Sequence, residues 1–165
     1  MSKKETVLSI VKDIRTLLKP KFQKAQSPNS ARYLVNGDGT ITDTLWGIAW
    51  LEDADAFNSG KPIKQYYVIE YLSKEFRFND ETYRLPSYHE LTSIVEFSRH
   101  PDALINPVFK NQKSDWYWTS QDYVPPTAGA LIVGFGSGSV TSGTKIDAYY
   151  VRPVRVRPVS GSEGK

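Results

Sequence analysis

The chain has 165 residues, of which 39% are hydrophobic, so it is long enough for one compact domain with an appendage and too short for two full domains. It contains no cysteine, which excludes disulfide bridges, thiolate metal sites and cysteine nucleophiles. The net charge of +3 is concentrated in residues 1–26, which carry seven Lys and Arg against two acidic residues, so the other residues carry −2. Because phosphate binding needs a clustered cationic face, this distribution argues against nucleic acid as the main ligand.

The first predicted element is a basic amphipathic helix over residues 4–19, which ends at Pro20 and precedes a polar linker over residues 20–31. Charged residues stand between the apolar residues of this helix, so it lacks the uninterrupted apolar segment of a signal peptide. No run in the sequence approaches the ~20 apolar residues that span a bilayer. We expect a protein made in the cytoplasm, with no signal peptide and no transmembrane segment; a virion component would look the same. The helix can dock on the domain or support self-association, and a membrane-surface role is disfavoured because its stripe lacks Trp and Phe.

Residues 35–43, VNGDGTITD, allow two interpretations. In an EF-hand register, Asn36, Asp38 and Gly39 occupy the third, fifth and sixth positions, but Leu34 and Leu45 then stand where the first and last carboxylates belong. The alternative is a β-hairpin with strands over residues 33–35 and 40–42, joined by Asn-Gly-Asp-Gly, whose residues tolerate positive φ. Turn chemistry favours the hairpin, so no metal site is predicted.

The folded body is predicted over residues 32–156, followed by a short tail over residues 157–165. A strand in LWGIAW places Trp46 or Trp50 in the core, and a helix is predicted over residues 62–76. A capping box at Ser87-Tyr88-His89-Glu90 starts a second helix, which is expected to continue to Arg99-His100-Pro101. Beyond residue 115 the pattern is strand and loop, so the class is α+β. The series Arg152, Arg155 and Arg157 is interpreted as charge at a strand edge.

No pattern of catalytic or metal-binding residues stands out. His89 and His100 are separated by about three helical turns and have no zinc-type neighbours. The glycine-rich GFGSGS at residues 134–139 lacks the Gly-Lys-Ser/Thr of a phosphate loop, and no serine lies in a GxSxG elbow. A weaker alternative is a hydrolase that uses Glu52, Asp53 and Asp55 for acid–base chemistry. We therefore predict a protein that is not an enzyme and has no cofactor.

Six motifs in order, NGDGTITD, GIAWLED, YRLPSYHEL, INPVF, YWTS and YYVRPVR, resemble the Lcl C-terminal domain family over residues 32–155. This family belongs with the C-type-lectin-like and formylglycine-generating-enzyme-like folds, so the resemblance implies a C-type-lectin-like fold with two helices and an antiparallel sheet. The chain departs from the family pattern at Tyr83, often Trp, and at Pro153, often Cys. The formylglycine-generating relatives oxidise substrates through cysteines, which this chain lacks. The calcium-dependent sugar-binding motifs of the wider fold are also absent.

The resemblance also suggests a role for residues 119–148. Relatives serve as variable proteins of diversity-generating retroelements, in which adenines of Asn codons are randomised, and on this basis the chain is predicted to be a viral or phage protein. That randomisation never yields Lys, Glu, Gln, Met or Trp, and only Gln121 and Lys145 in this segment belong to that set. A Gly/Ser/Thr-rich region of fixed sequence would also be poor in Lys and Glu. The resemblance implies a variable ligand-binding surface, and its predicted residues are Asp122, Tyr123, Val124, Leu131, Gly134, Ser139, Thr141, Ser142, Thr144, Ile146, Asp147 and Ala148.

The predicted function is therefore a non-enzymatic ligand-binding protein that recognises a protein or cell-surface ligand through a variable surface. Its anchors are predicted to be Tyr123, Leu131 and Ile146, since aromatic and apolar side chains supply most of the contact area in such interfaces. The alternative is a glycan-binding or adhesion module of fixed specificity, multimerised through the N-terminal helix.

Overall fold

A computed structural model describes residues 32–97, 105–124 and 129–156. These residues form an α+β domain with two helices and antiparallel sheets, as the sequence predicts. Several predictions lie outside the described residues: the N-terminal helix over residues 4–19, the linker over residues 20–31, and the tail over residues 157–165, which includes Arg157.

The hairpin interpretation of residues 35–43 is confirmed. Strands β1 (Tyr33–Val35) and β2 (Thr40–Asp43) pair antiparallel with Val35 opposite Ile41. The Asn36 side chain donates to Thr40 Oγ1 at 2.8 Å and accepts from Thr42 Oγ1 at 3.0 Å, and Asp38 accepts from the Thr40 backbone N–H at 3.0 Å. The polar side chains of the turn therefore hold the hairpin closed.

A four-stranded sheet grows from this hairpin in the order β1-β2-β3-β9, with β3 at Ile48–Leu51 and β9 at Val154–Val156. Of the two tryptophans proposed for the core, Trp50 is fully buried in β3, whereas Trp46 is 43% exposed in the turn before that strand. Trp50 thus satisfies the prediction, and Trp46 lies outside the core because the strand begins only at Ile48; the Trp46 indole donates to Ser93 Oγ at 2.8 Å.

The first helix, α1, spans Gln65–Lys74 and is shorter at both ends than the predicted 62–76. Ile63–Lys64 instead forms the short strand β4, which pairs with β8 (Ala148–Tyr149). Gln65, Val68 and Leu72 are the buried residues of α1, at helical spacing, while the opposite side of the helix faces outward. Two 3₁₀ turns, Ala54–Ala56 and Asn58–Gly60, precede this region.

The second helix, α2, spans Tyr88–Ser93 and begins with the predicted capping box. Ser87 Oγ accepts from the Glu90 backbone N–H at 3.1 Å, and Glu90 Oε2 accepts from the Ser87 N–H at 2.6 Å. The helix ends at Ser93, so the prediction that it continues toward Arg99 was wrong. Ile94 is fully buried beyond the last turn, and the chain then leaves the helical path.

The C-terminal half forms a three-stranded antiparallel sheet in the order β5-β6-β7, with β5 at Trp116–Asp122, β6 at Gly129–Gly134 and β7 at Val140–Thr144. Successive side chains of a strand point to opposite faces. Tyr117 and Val133 accordingly belong to one core cluster, with Trp50 and α2, while Trp118 and Ile132 belong to the other, with α1. The β5-β6 pair is therefore buried on both faces.

Arg152 is fully buried, so its interpretation as strand-edge charge was wrong. Its guanidinium donates to the Leu51 carbonyl at 2.6 Å, to Gln112 Oε1 at 2.6 Å and to the Lys110 carbonyl at 3.3 Å. Its Cζ also lies 5.1 Å from the centre of the Phe109 ring. Arg155, in contrast, forms an ion pair of 2.7 Å with Glu81.

Candidate functional site

The predicted ligand-binding residues, called the candidate surface below, mostly lie in three neighbouring places. Most of them lie at the end of β5, in or just before β7, and from the loop after β7 to the start of β8, whereas Leu131 and Gly134 lie in β6. Most of the candidate surface is exposed, and its exposed members are Asp122, Tyr123, Val124, Ser139, Thr141, Ser142, Thr144, Ile146, Asp147 and Ala148. Their role in binding stays a prediction.

β7 is exposed because it is the last strand of its sheet. It pairs with β6 on one side, with Ser142 opposite Leu131 and Thr141 opposite Ile132. An edge strand at the surface does not need apolar side chains. The polar run Thr141-Ser142 of β7 therefore lies outside the core, while its partner strand β6 is buried.

The loop between β7 and β8 is held in a defined conformation by polar contacts. Thr144 Oγ1 donates to Asp147 Oδ2 at 2.7 Å, and the Asp147 backbone N–H donates to the Thr144 carbonyl at 3.0 Å. Lys145 Nζ lies 2.6 Å from Asp122 Oδ1, which joins the loop to the end of β5. Burial, together with the neighbouring Asp147 carboxylate, raises the pKa of Tyr149 at the loop's far end.

Apolar side chains stand among these polar residues. Tyr123 is 46% exposed, Val124 is 80% exposed and Ile146 is 74% exposed. Leu131, the third predicted anchor, is only partly accessible because it lies in the central strand β6. Of the anchor residues named from the sequence, Tyr123 and Ile146 are thus the ones that can offer a substantial apolar area to a partner.

Two glycines of residues 119–148 do not fit a variable surface. Gly134, predicted as part of that surface, is buried, and a Cβ there would lie 3.0 Å from Trp116 Cζ3. Gly143 is also buried, and a Cβ there would lie 2.5 Å from Tyr149 Cε2. Placing Gly134 on the surface was wrong because an aromatic ring packs directly against its backbone.

The outer face of α1 was missed in the sequence analysis. Tyr66, Tyr67 and Ile69 are exposed there, and the two tyrosine rings are 5.3 Å apart between centroids. Helical periodicity was the available signal, because Val68 and Leu72 define the inner side of the helix, which places Tyr66 and Tyr67 away from it and Ile69 at its flank. A row of large apolar side chains on such a face is a feature of interaction surfaces.

The acidic residues proposed for a hydrolase are each engaged in local structure. Glu52 pairs with Lys110 at 2.6 Å, and Asp55 pairs with Lys113 at 3.3 Å. Asp53 Oδ1 accepts from the Asp55 backbone N–H at 2.8 Å and caps a 3₁₀ turn. Burial acts to raise the pKa of Asp53, but the hydrogen bonds from Asp55 and Asn111 outweigh it and lower that pKa. These contacts give the carboxylates structural roles.

Of the two histidines, the structure describes His89. His89 is exposed, and its ring centroid lies 3.8 Å from that of Tyr88, while His100 lies outside the described residues. Within residues 32–97, 105–124 and 129–156, no three His, Asp or Glu side chains are grouped as metal ligands would be. No helix in that part of the chain is both long and apolar enough to cross a membrane.

Comparison with known protein families matches most of the described residues. A protein-family model described as the Lcl C-terminal domain matches residues 39–155, which include both helices and the whole candidate surface. No curated protein matches the chain.

Proposed function

The chain belongs to the Lcl C-terminal domain family, and on that basis we propose that it is a non-enzymatic ligand-binding protein with a variable surface. In this proposal the scaffold is C-type-lectin-like, and the chain is the variable protein of a diversity-generating retroelement. Its ligand is a protein or another component of a cell surface. Two helices combined with antiparallel sheets are compatible with that scaffold.

One observation carries the proposal. Residues 119–148, in which only Gln121 and Lys145 are of types that randomised Asn codons never yield, lie mostly outside the core where the structure describes them. Most members of the candidate surface are exposed, whereas Tyr117 and Trp118 just before residues 119–148, and Phe135 within them, are fully buried. Substitutions at exposed positions typically change the free energy of unfolding by ~0.5 kcal/mol or less. A surface of this kind can therefore change its chemistry without loss of the fold.

Recognition in this proposal combines a few apolar anchors with adaptable polar neighbours. Tyr123, Val124 and Ile146 supply contact area, and the hydroxyls of Thr141 and Ser142 supply hydrogen bonds that a partner can satisfy. The composition of the candidate surface resembles that of antibody binding loops, in which rigid aromatic side chains stand among small polar ones. A protein ligand suits such a mixture.

The test is genomic. We expect the DNA near the coding sequence to contain a reverse transcriptase gene and a near-copy of the segment that encodes residues 119–148, with the differences at adenines of the template. If both are absent, the diversification proposal fails, while the family assignment stands. A near-copy whose differences fall on the codons of Val133 or Phe135 would also contradict it, because those side chains are in the core.

Binding needs a separate measurement. The full chain is tested on a glycan array and on an array of cell-surface proteins, with a matched variant in which Tyr123 and Ile146 are changed to Ser. A protein signal that the variant loses supports the proposal. A glycan signal that the variant keeps would instead favour the fixed-specificity adhesion module.

A further inference from the structure

The outer edge of β7 presents a row of backbone hydrogen-bonding groups. The Gly134 N–H donates to the Ser139 carbonyl at 2.9 Å, so Ser139 faces β6, and the regular register continues this alternation along β7. In an antiparallel pair only alternate residues exchange hydrogen bonds with the partner strand. Thr141 therefore bonds with β6, whereas Val140 and Ser142 direct their N–H and C=O groups away from it. These outward groups have no backbone partner among the residues that the structure describes.

Other sheet edges in the molecule are covered by neighbouring chain. At β9, Val154 exchanges two hydrogen bonds with Arg84, of 2.8 and 3.0 Å. At the far side of β5, the Trp118 N–H donates to the Tyr150 carbonyl at 2.9 Å. β1 is also an outer strand, but it has only three residues, against five in β7. Within the described part of the chain, β7 thus offers the longest open edge.

β7 also lacks the features by which proteins usually protect an edge strand. Its sequence, VTSGT, contains no charged residue and no proline, and its pairing with β6 has no bulge. Edges that are exposed and regular and carry neither charge nor proline are templates for pairing with another strand. The side chains of Val140, Thr141 and Ser142 are exposed and small, so they leave the backbone accessible to such a strand.

We propose that an extended segment of the protein partner pairs with the outer edge of β7 and becomes the fourth strand of this three-stranded sheet. The inference rests on the proposed function, because it assumes a protein ligand. Strand addition obtains affinity from main-chain hydrogen bonds and specificity from alternate side chains. The bonds to Val140 and Ser142 use backbone groups alone, so they stay the same when the side chains of residues 119–148 change.

The residues along the edge favour a partner strand over a second copy of the chain. Pairing between the β7 strands of two copies would cover Thr141 and Ser142, which belong to the candidate surface, and would leave no surface there for a ligand. A partner strand can instead place an apolar side chain beside Val140, which is 42% exposed. Two residues earlier, the exposed Phe97 ring packs against Gly138 and extends this apolar area.

The probe is a phage-displayed library of random linear peptides, selected on the full chain. The tightest peptide is resynthesised as a series in which one backbone N–H at a time is methylated. Methylation of the N–H groups that face β7 should weaken binding at least tenfold, whereas methylation of the intervening groups should change it less than threefold, because alternate residues of a strand face its partner. A selection without a binder, or affinities without this alternation, would overturn the inference.

Two variants and amide exchange locate the effect. When the peptide binds, the Val140 and Ser142 N–H groups should become protected from exchange with solvent; protection confined to β1 would contradict the inference. Ser142→Pro removes the outward N–H at a position where an edge strand tolerates proline, and it should weaken peptide binding at least tenfold. The matched control Ser142→Ala keeps the N–H and should bind within threefold of wild type. Equal binding by the two variants would contradict strand addition. The methylation series needs no variant, so it decides the question even if the proline variant does not fold.

Sedimentation of the free chain tests the second copy as the occupant. A dimer that Ser142→Pro dissociates would assign the edge to self-association and overturn the inference. Failure of the genomic test would leave the peptide results unaffected, and failure of the peptide test would leave recognition by the side chains of the candidate surface intact. The two proposals therefore fail separately.

Discussion

At the scale of single residues, the most unusual feature is the charge of Arg152 inside the domain. Burial lowers the pKa of Arg152 to about 10, so its guanidinium stays charged at neutral pH. Its N–H groups donate hydrogen bonds to neutral oxygen atoms of separate segments, including the Leu51 carbonyl and Gln112 Oε1. A buried charge is tolerated when its hydrogen bonds are satisfied, and here the same bonds also satisfy oxygens inside the protein.

Removing that guanidinium should therefore destabilise the domain strongly. For Arg152→Met we expect a loss of about 3 kcal/mol in the free energy of unfolding, because the Leu51 and Gln112 oxygens lose their donors. Arg152→Lys should recover little of it, since a single ammonium cannot replace the planar fork of donors. Urea unfolding measures the loss. The control Arg77→Met removes an exposed arginine and should change stability by ~0.5 kcal/mol or less. Equal losses for the two would contradict the structural role of Arg152.

Buried phenols should make the domain sensitive to alkali. Burial raises the pKa of Tyr117 to about 12, and burial also raises the pKa of Tyr33, where Asp43 adds to the effect and Arg32 opposes it. In the unfolded chain a tyrosine ionises near ~10, so the folded state binds more protons above that pH and stability falls as pH rises. The lowered pKa of Arg152 makes stability rise with pH, in the opposite direction to the tyrosines. This contribution is the same in wild type and in the tyrosine variants, so it does not affect their comparison.

The measurement is the free energy of unfolding between pH 8 and pH 12, from denaturant titrations. Wild type should lose stability as the pH rises above ~10. Tyr33→Phe should show a shallower loss, whereas Tyr66→Phe, which removes an exposed hydroxyl, should follow wild type. A Tyr33→Phe curve parallel to that of wild type would contradict a contribution of the raised Tyr33 pKa to the loss of stability.

At the scale of elements, the sequence predicted correctly the turns and helix starts that depend on a few neighbouring residues. The Asn-Gly-Asp-Gly turn and the capping box at Ser87 act over a few residues, and both were correctly identified from the sequence. The end of α2 was not, because it depends on the burial of Ile94. The choice between Trp46 and Trp50, and the burial of Arg152, also depend on contacts between distant segments that a single sequence does not display.

The capping box matters more than usual because α2 has only six residues. A helix this short gains little from its own propagation, so its first turn depends on the cap. Ser87→Ala should lower the free energy of unfolding by about 1 kcal/mol, and Ser87→Asn, which keeps an acceptor, should restore most of it. Thermal or urea unfolding gives the values, with Ser73→Ala on the exposed side of α1 as the control. If the Asn variant is no better than the Ala variant, the cap is not the source of the loss.

At the scale of the whole molecule, the buried β5-β6 pair separates the core from the edge strand β7. The family resemblance, together with the composition of residues 119–148, predicted that this segment is largely at the surface. Neither identified Gly134 as buried against Trp116. That burial arises where β6 pairs with β5, and only the folded arrangement specifies the pairing.

This separation predicts exposed positions that tolerate substitution and buried positions that do not within residues 119–148. Placing Asn at each kind of position distinguishes them. Asn at Thr141, Ser142 or Ser139 should change the free energy of unfolding by ~0.5 kcal/mol or less each, because these side chains are exposed. Gly143→Asn should cost ~2 kcal/mol or more, because its Cβ would lie 2.5 Å from Tyr149 Cε2 and the ring must move. Chemical unfolding of the four variants tests this. A Gly143→Asn protein as stable as the Ser142→Asn protein would mean that the ring yields freely and that the buried position is also open to variation. A large loss at Thr141 would instead make β7 part of the framework and remove the physical basis of a replaceable surface.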